Sequence, residues 1–403
     1  MNDAKAHDRW ISNTLINIAD YHNGAAFKAK DWVEDGLPII RIEQLNNADS
    51  DTDKYDGFLH PNNSIDDGDL IFSWSATLKV VIWNRGPGAL NQHLYKVVPK
   101  QGIDRHLLLQ ILDFNMNKLS GQSQGSTMKH VTRRELSKFV VKYPSGEKEQ
   151  RKIACILQTI DQSIEKTEAL IEKYQKIKAG LMHDLFTRGI GPDGKLRPPR
   201  EQAPELYQET PIGWIPKAWT LANLKSCIEI HNNLRMPLSS EVRDKMGGEF
   251  PYYGPTGIVD YINEYRVEGK FVLIGEDGDH FLKFNRMEMT QLAEGKFNVN
   301  NHAHILKGTD ICSTEWFFIF YLHRDIRFWL TRQGAGRYKL NKSTLEKLPI
   351  ALPSIEEQEA IIKLVFHYRD YIKMQRDVHR KLRLQKSGLM HDLLTGKVEV
   401  KAD

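Results

Sequence analysis

The chain has 403 residues, 40% hydrophobic and 27% charged, with no apolar run long enough to cross a bilayer; this composition excludes a membrane bundle, a disordered tail and a collagen-like repeat. Its length suits two or three domains. Fifty-six Lys and Arg stand against 52 Asp and Glu, a net charge of +4, so any case for nucleic acid must rest on where the charge sits.

The start, MNDAKAHDRW, lacks an apolar signal core. Cys155, Cys227 and Cys312 are too widely spaced in sequence for a disulfide framework or a CxxC zinc site, and the cytoplasm is the expected compartment. Residues 1–144 read as a mixed α+β segment. Short β-rich runs at 69–74 (DLIFSW) and 79–83 (KVVIW) are bounded by Gly, Asp and Asn, and a helix is expected around Leu107 to Leu119. A polar, Gly-containing loop and a last short strand then lead to Pro144.

Residues 145–188 read as one long helix. Apolar side chains at 153, 157, 160, 164, 171, 174, 181 and 185 follow the alternating four-three spacing of a coiled-coil seam, interrupted by Thr167 and Lys178. Gly189 closes it in a position suited to a left-handed cap. Residues 189–211 hold five prolines and read as an extended, exposed linker. The linker opens on a GxGxxG-like run, but this follows a helix and Pro192 removes an amide, so no phosphate cradle is expected.

Residues 212–353 form a second mixed segment, with a β run at 270–275 (KFVLIG), a helix around Trp316 to Leu330, a polar loop and a final strand. Residues 354–396 form the second long helix, which Ser354 and Glu357 are expected to start as a capping box and Gly396 to close. Its seam reads Ile361, Leu364, Tyr368, Tyr371, Val378, Leu382, Leu389 and Leu393, with Gln375 and Gln385 as polar members. Each long helix spans roughly 60 Å at 1.5 Å per residue. Residues 397–403 are a tail.

The chain is a tandem duplication. GLMHDLFT from Gly180 recurs as GLMHDLLT from Gly388, an offset of 208, and Gln150 maps onto Gln358 at the same offset. At an offset of 209, Trp10 maps onto Trp219, Asn91 onto Asn300, His93 onto His302, Gln124-Gly125 onto Gln333-Gly334 and Pro144-Ser145 onto Pro353-Ser354. Two copies do not make a stacked solenoid, so two equivalent modules in a pseudo-symmetric molecule are expected.

Catalytic motifs are missing: there is no GxxxxGK[ST], HExxH or GxSxG, and no Asn/Asp-Pro-Pro-aromatic tetrapeptide for amino methylation. The acids of Glu276-Asp277-Gly278-Asp279 read as a polar turn, and His302 as structural. Charge placement is more informative. Residues 125–142 carry five Lys/Arg against one acid, and residues 323–347 carry seven against two. Both clusters flank a Gln-Gly loop and include small hydroxyl side chains, the groups that contact phosphates and base edges. Candidate DNA contacts in the first module are Gln124, Ser126, Thr127, Lys129 and Arg133, with Ser73, Ser75, Thr77 and Lys79 at a polar strand end. In the second module they are Gln333, Arg337, Tyr338, Lys339 and Lys342.

These features together resemble the specificity (S) subunit of Type I restriction–modification enzymes. The resemblance rests on the GLMHDLFT and GLMHDLLTGKV helix ends, Pro353-Ser354-Ile-Glu-Glu-Gln358, Gly213-Trp-Ile-Pro216 and Gly68-Asp-Leu-Ile-Phe-Ser-Trp-Ser75. It covers nearly the whole chain; His183 and His391 stand where the family often has Gln. The resemblance implies an α+β protein with two target-recognition domains in tandem, separated by two long helices that pair as an antiparallel coiled coil. It implies a non-catalytic subunit that reads a bipartite, asymmetric double-stranded DNA target. Two methyltransferase subunits would bring S-adenosylmethionine, and restriction/translocase subunits ATP and Mg, so no cofactor and no metal is expected on this chain.

Overall fold

The computed structural model describes residues 10–47, 50–121, 130–333 and 337–400, and the side chains of Gln333 and Arg337 fall outside the description. It divides into two compact units, residues 1–169 with 376–403 and residues 170–375, so each long helix gives part of its length to each unit. No helix among the described residues is long and apolar enough to cross a membrane.

In the first unit, strands Ala19–Asn23, Leu94–Pro99, Leu70–Ser73 and Lys79–Ile82 lie side by side in that order, all antiparallel. The helix Arg105–Gly121 buries Leu107, Leu108, Ile111, Leu112 and Leu119 in the same core as Leu70, Phe72 and Val97. The second unit repeats this order with Ile228–Ile230, Ala303–Gly308, Val267–Gly275 and Thr290–Val299, the last two longer than their counterparts, extended by Gly247–Tyr253 and Ile258–Ile262 into a six-stranded sheet. In both units the strand after the repeated tryptophan pairs antiparallel with the strand that leads into Pro-Ser, Trp10–Thr14 with Val140–Pro144 and Thr220–Asn223 with Pro349–Leu352. The core helix of the second unit, Thr314–Tyr321, is shorter than expected. His323 turns its ring onto the Phe284 carbonyl, and a separate short turn follows at Arg327–Trp329.

The repeated glutamines explain part of the shared frame. Gln150 is fully buried; its Oε1 accepts from the Asp104 amide at 2.8 Å, and its Nε2 donates to the carbonyls of Gly102 and Pro144, both at 3.0 Å. Gln358 is buried in the same way and bonds the Ser313 amide at 3.0 Å and the carbonyls of Ile311 and Pro353 at 2.9 and 3.0 Å. Asp104 and Ser313 cap the two core helices, their side chains accepting from Leu107 and Trp316. Each glutamine therefore ties the start of a long helix to the start of a core helix.

The long helices run Glu147–Thr187 and Ile355–Leu394, and Gly189 and Gly396 follow them with φ of +64° and +75°, the left-handed stop expected for glycine. Within the first unit their two portions run antiparallel, with Asp161 against Lys386 and Glu168 against His379. Within the second unit the Tyr174 and Tyr371 rings meet at 4.3 Å, tilted by 48°, and Glu357 accepts from the Ile190 amide, the same antiparallel sense.

The seam of the first helix is as expected: Thr167 is buried within it and satisfies its hydroxyl on the Ser163 carbonyl at 2.7 Å. In the second helix the expected seam is displaced, because Leu364 and Val378 are each 39% exposed while Val365 and Ile372 are buried. The inward line is 361, 365, 368, 372, 375, 379, 382, 386, 389 and 393, unbroken four-three spacing that uses His379 and Lys386. Selecting apolar residues alone missed it, because two of its members, His379 and Lys386, are polar and meet Glu168 and Asp161 on the facing helix.

The stretch 189–211, expected as extended and exposed, is instead folded onto the second unit. Ile190, Ala203 and Tyr207 are buried, and Arg197 pairs with Glu357. Cys227 and Cys312, distant in sequence, are fully buried free thiols in one core; Cys227 donates to the carbonyls of Asn223 and Leu224 and Cys312 to that of Ser313.

Lys386 makes a polar knot in the first unit, 2.8 Å from Asp113 and 2.7 Å from Asp161, and Gln110 donates to Asp161 at 2.7 Å. Burial alone pushes the Lys386 ammonium down, but the two carboxylates more than offset this and hold it above the usual lysine range. Lys386→Met should therefore destabilise this unit by about 2 kcal/mol, less than for a fully buried pair because Asp113 is partly exposed. Urea unfolding at pH 7 checks this. The deficit should shrink as pH rises through the raised lysine range, where the natural chain loses the ammonium that the two carboxylates hold. A deficit independent of pH would mean that lost packing, not charge, is responsible.

Candidate nucleic-acid interface

The candidate residues cluster where the central strand of each sheet ends. In the first unit the strand Leu70–Ser73 runs into Trp74-Ser75-Ala76-Thr77. Ser73 is fully buried, and its hydroxyl donates to the carbonyls of Thr77 at 2.7 Å and Ser75 at 3.3 Å. It holds a turn in which Ala76 has φ +57°, the one non-glycine left-handed residue among the described residues. Ser75 is buried as well, with Oγ 3.3 Å from His93 Nδ1. Ser73 and Ser75, expected among the DNA contacts, are thus both buried in this structure, with their hydroxyls engaged in the turn. Lys79 donates to the Leu45 carbonyl at 2.5 Å, and burial, then Arg85, pushes its ammonium down. Thr77 is exposed.

Gln124, Ser126, Thr127 and Lys129 lie outside the described residues. The chain re-enters at His130, which bridges to Ser75, while the Val131 amide donates to the Trp74 carbonyl at 2.8 Å. Trp74 sits 5.7 Å from the rings of both His93 and His130. Arg133 begins a short helix capped by Thr132 and donates to the Tyr21 carbonyl.

The second unit builds the same frame from different side chains. After Gly275 the chain turns through Glu276 and Asp277; Asp277 bridges to Lys339, and the Leu340 amide donates to the Glu276 carbonyl at 2.7 Å. Asp277 takes the place of Ser75, with Oδ2 3.0 Å from Nδ1 of His302, the counterpart of His93. Glu276 turns the other way: Arg235 lies 2.8 Å and Lys339 3.7 Å from its carboxylate. Beneath them His304 is buried, and burial pushes its imidazole down, so it is neutral. Its Nε2 donates to the Leu340 carbonyl at 2.7 Å, which leaves Nδ1 to accept from Asn232 at 2.9 Å and Arg235 at 2.8 Å.

The expected polar loop around Gln333 and Arg337 is a hairpin, Thr331–Gln333 against Arg337–Lys339, with Gln333 paired to Arg337 in register. Arg332 lies over the Tyr338 ring, 5.0 Å from its centroid, and donates to its hydroxyl. Lys342 opens the short helix capped by Asn341, in the place Arg133 takes in the first unit, and is exposed. Phe328, 91% exposed, immediately precedes this basic hairpin.

The structure thus brings Tyr338, Lys339 and Lys342 together at one sheet end and adds Asp277 and His302. In the first unit it adds Trp74, His93 and His130. The sequence signal for the histidines was the matched pair His93 and His302; nothing local marked their partners. No group of three or more His, Cys, Asp or Glu among the described residues is arranged to hold a metal ion.

Comparison with known proteins identifies this architecture. The family model for the Type I restriction modification DNA specificity domain matches residues 8–175 and 216–382. The chain is 23% identical over 429 residues to the Type I restriction enzyme MjaVIII specificity subunit of Methanocaldococcus jannaschii, covering 100% of this chain and 96% of that one. It is 23% identical to the EcoBI specificity subunit of Escherichia coli over 92% of this chain and 82% of that one. A 34% match to a putative specificity subunit of Haemophilus influenzae spans 40% of this chain and 38% of the relative. In fold, it is similar to the crystal structure of the S subunit from M. genitalium, with a TM-score of 0.68 at 15% identity over 96% of both chains. With two matches to the family model placed on two copies of one frame, the chain belongs to the Type I restriction–modification DNA specificity family, whose members are the non-catalytic DNA-recognition subunits of those systems.

Proposed function

We infer that this chain reads a bipartite, asymmetric DNA target, one half-site per unit, and directs methylation or cleavage by partner subunits. The observation that carries this is the repeated frame with altered contents: His93, Ser75 and His130 in one unit, His302, Asp277 and Lys339 in the other. A shared frame binds the same kind of ligand, and different side chains on it select different bases. The candidate contacts to the duplex are Gln333, Arg337, Tyr338, Lys339 and Lys342 in the second unit. In the first they are Thr77, Arg133 and the segment with Gln124, Ser126, Thr127 and Lys129.

The long helices act as a coiled-coil spacer. Two methyltransferase subunits dock on them and supply S-adenosylmethionine and the base-flipping site, and restriction/translocase subunits add ATP- and Mg-dependent work, all in the cytoplasm. Adding seven residues to each long helix lengthens the spacer by about 10 Å, roughly three base pairs at 3.4 Å each. Methylation sequencing of a host that expresses the chain with its methyltransferase should show both half-sites unchanged and the gap between them widened. Altered half-sites would overturn the spacer role. A natural chain that directs methylation to no defined motif would overturn the recognition role itself.

A further inference from the structure

We propose that Asp277 is a specificity-determining residue of the second unit, an acceptor that selects a base with an exocyclic amine, cytosine N4 or adenine N6, in the major groove. This rests on the reading that the second unit contacts DNA through the sheet end that carries the paired strands Thr331–Gln333 and Arg337–Lys339.

The two adjacent acids at this turn have different work. Glu276, half-buried, offsets Arg235 and Lys339. Asp277 faces the opposite way and is held by His302, an exposed side chain. The frame does not need an acid there, because the first unit closes the same contact with Ser75 against His93. Asp277 is therefore an addition to the frame rather than part of it.

A carboxylate on a basic, DNA-facing surface is repelled by phosphates, and by the O6 and N7 acceptors of guanine and the O4 of thymine. An exocyclic amine is the group in the groove that it accepts from, so the cost against the other bases becomes selectivity. His302 fixes the carboxylate through both oxygens, at 3.0 and 3.2 Å, which limits its freedom to turn away. Asp277 also borders an open concavity of about 390 Å³ whose wall includes Thr256, His280, Lys283 and His302. His280 is buried there, with Nε2 lacking a hydrogen-bond partner among the described residues.

The test expresses the full chain with its methyltransferase in a host lacking the modification and reads the methylated motif across host genomic DNA. Natural chain, Asp277→Asn and Asp277→Ala are compared, and the full-length proteins are then titrated against duplexes carrying each of the four bases at the affected position. The natural chain should require C or A at one position of one half-site, and the binding series tells which. Asp277→Asn, similar in shape but with a donor as well as an acceptor, should admit G or T there and reduce discrimination about 10-fold. The other half-site should be unchanged, which reports an intact fold. The same motif in all three proteins, or binding weakened equally on all four duplexes, would overturn the proposal. A natural chain with no motif would instead refute the recognition role on which it rests.

Discussion

Glu357→Ala should destabilise the second unit by roughly 3–5 kcal/mol. The Glu357 carboxylate takes a bidentate pair from Arg197 at 2.5 and 2.8 Å, the Trp219 indole N–H at 3.0 Å and the Ile190 amide at 2.8 Å. Its side chain is 10% exposed and that of Arg197 13%, so truncation leaves a guanidinium with the Arg188 carbonyl but no counter-charge, and two N–H donors without their acceptor. Glu357→Gln retains an oxygen but loses the charge that matches Arg197, and should cost about half as much. Denaturant unfolding followed by hydrogen exchange checks both variants. Lost protection should centre on residues 189–219, and unchanged protection there would show that packing of Trp219 alone holds this segment.

This residue also corrects the sequence reading. Ser354 and Glu357 have capping-box spacing, and Ser354 does accept from the Glu357 amide at 3.3 Å. The reciprocal half is missing because the carboxylate serves Arg197, Trp219 and Ile190 instead. A charged guanidinium and two buried donors offer it more than one exposed backbone amide does.

Gln150→Ala and Gln358→Ala should each cost about 3 kcal/mol, felt in the unit that carries the substitution. Each change removes three buried hydrogen bonds and leaves one amide and two carbonyls unsatisfied. Glutamate should be worse than alanine at either position, since it loses both donors and sets a charge against two carbonyls. Hydrogen exchange resolved by segment distinguishes the cases: Gln150→Ala should expose the helix Arg105–Gly121, and Gln358→Ala the helix Thr314–Tyr321. If either variant kept full protection of its own helix, the cap would not depend on the clamp.

Much of the plan is legible in the residues because duplication repeats it. The constant offset pairs Trp10 with Trp219 and His93 with His302, and heptad spacing with terminal glycines marks the long helices. The site was less legible. Ser73 looks like a ligand-facing hydroxyl on a polar strand end, yet it is buried to support Ala76 in a left-handed turn. Lys386 looks like a surface charge, yet it occupies a seam position because Asp113 and Asp161 meet it there.

What is periodic or repeated is legible along the chain: two copies of a mixed α+β module, two long helices, basic clusters beside Gln-Gly loops and, through these, the family. Spacing along one chain is enough for such features, since they depend on neighbours within a few residues or on comparison of one half with the other. Which polar side chains face in and which face out emerges only on folding. That choice depends on partners distant in sequence, as with Arg197 for Glu357, His302 for Asp277 and Asp161 for Lys386. A buried charge is stable only where folding supplies its counter-charge, and no local pattern records where that will be.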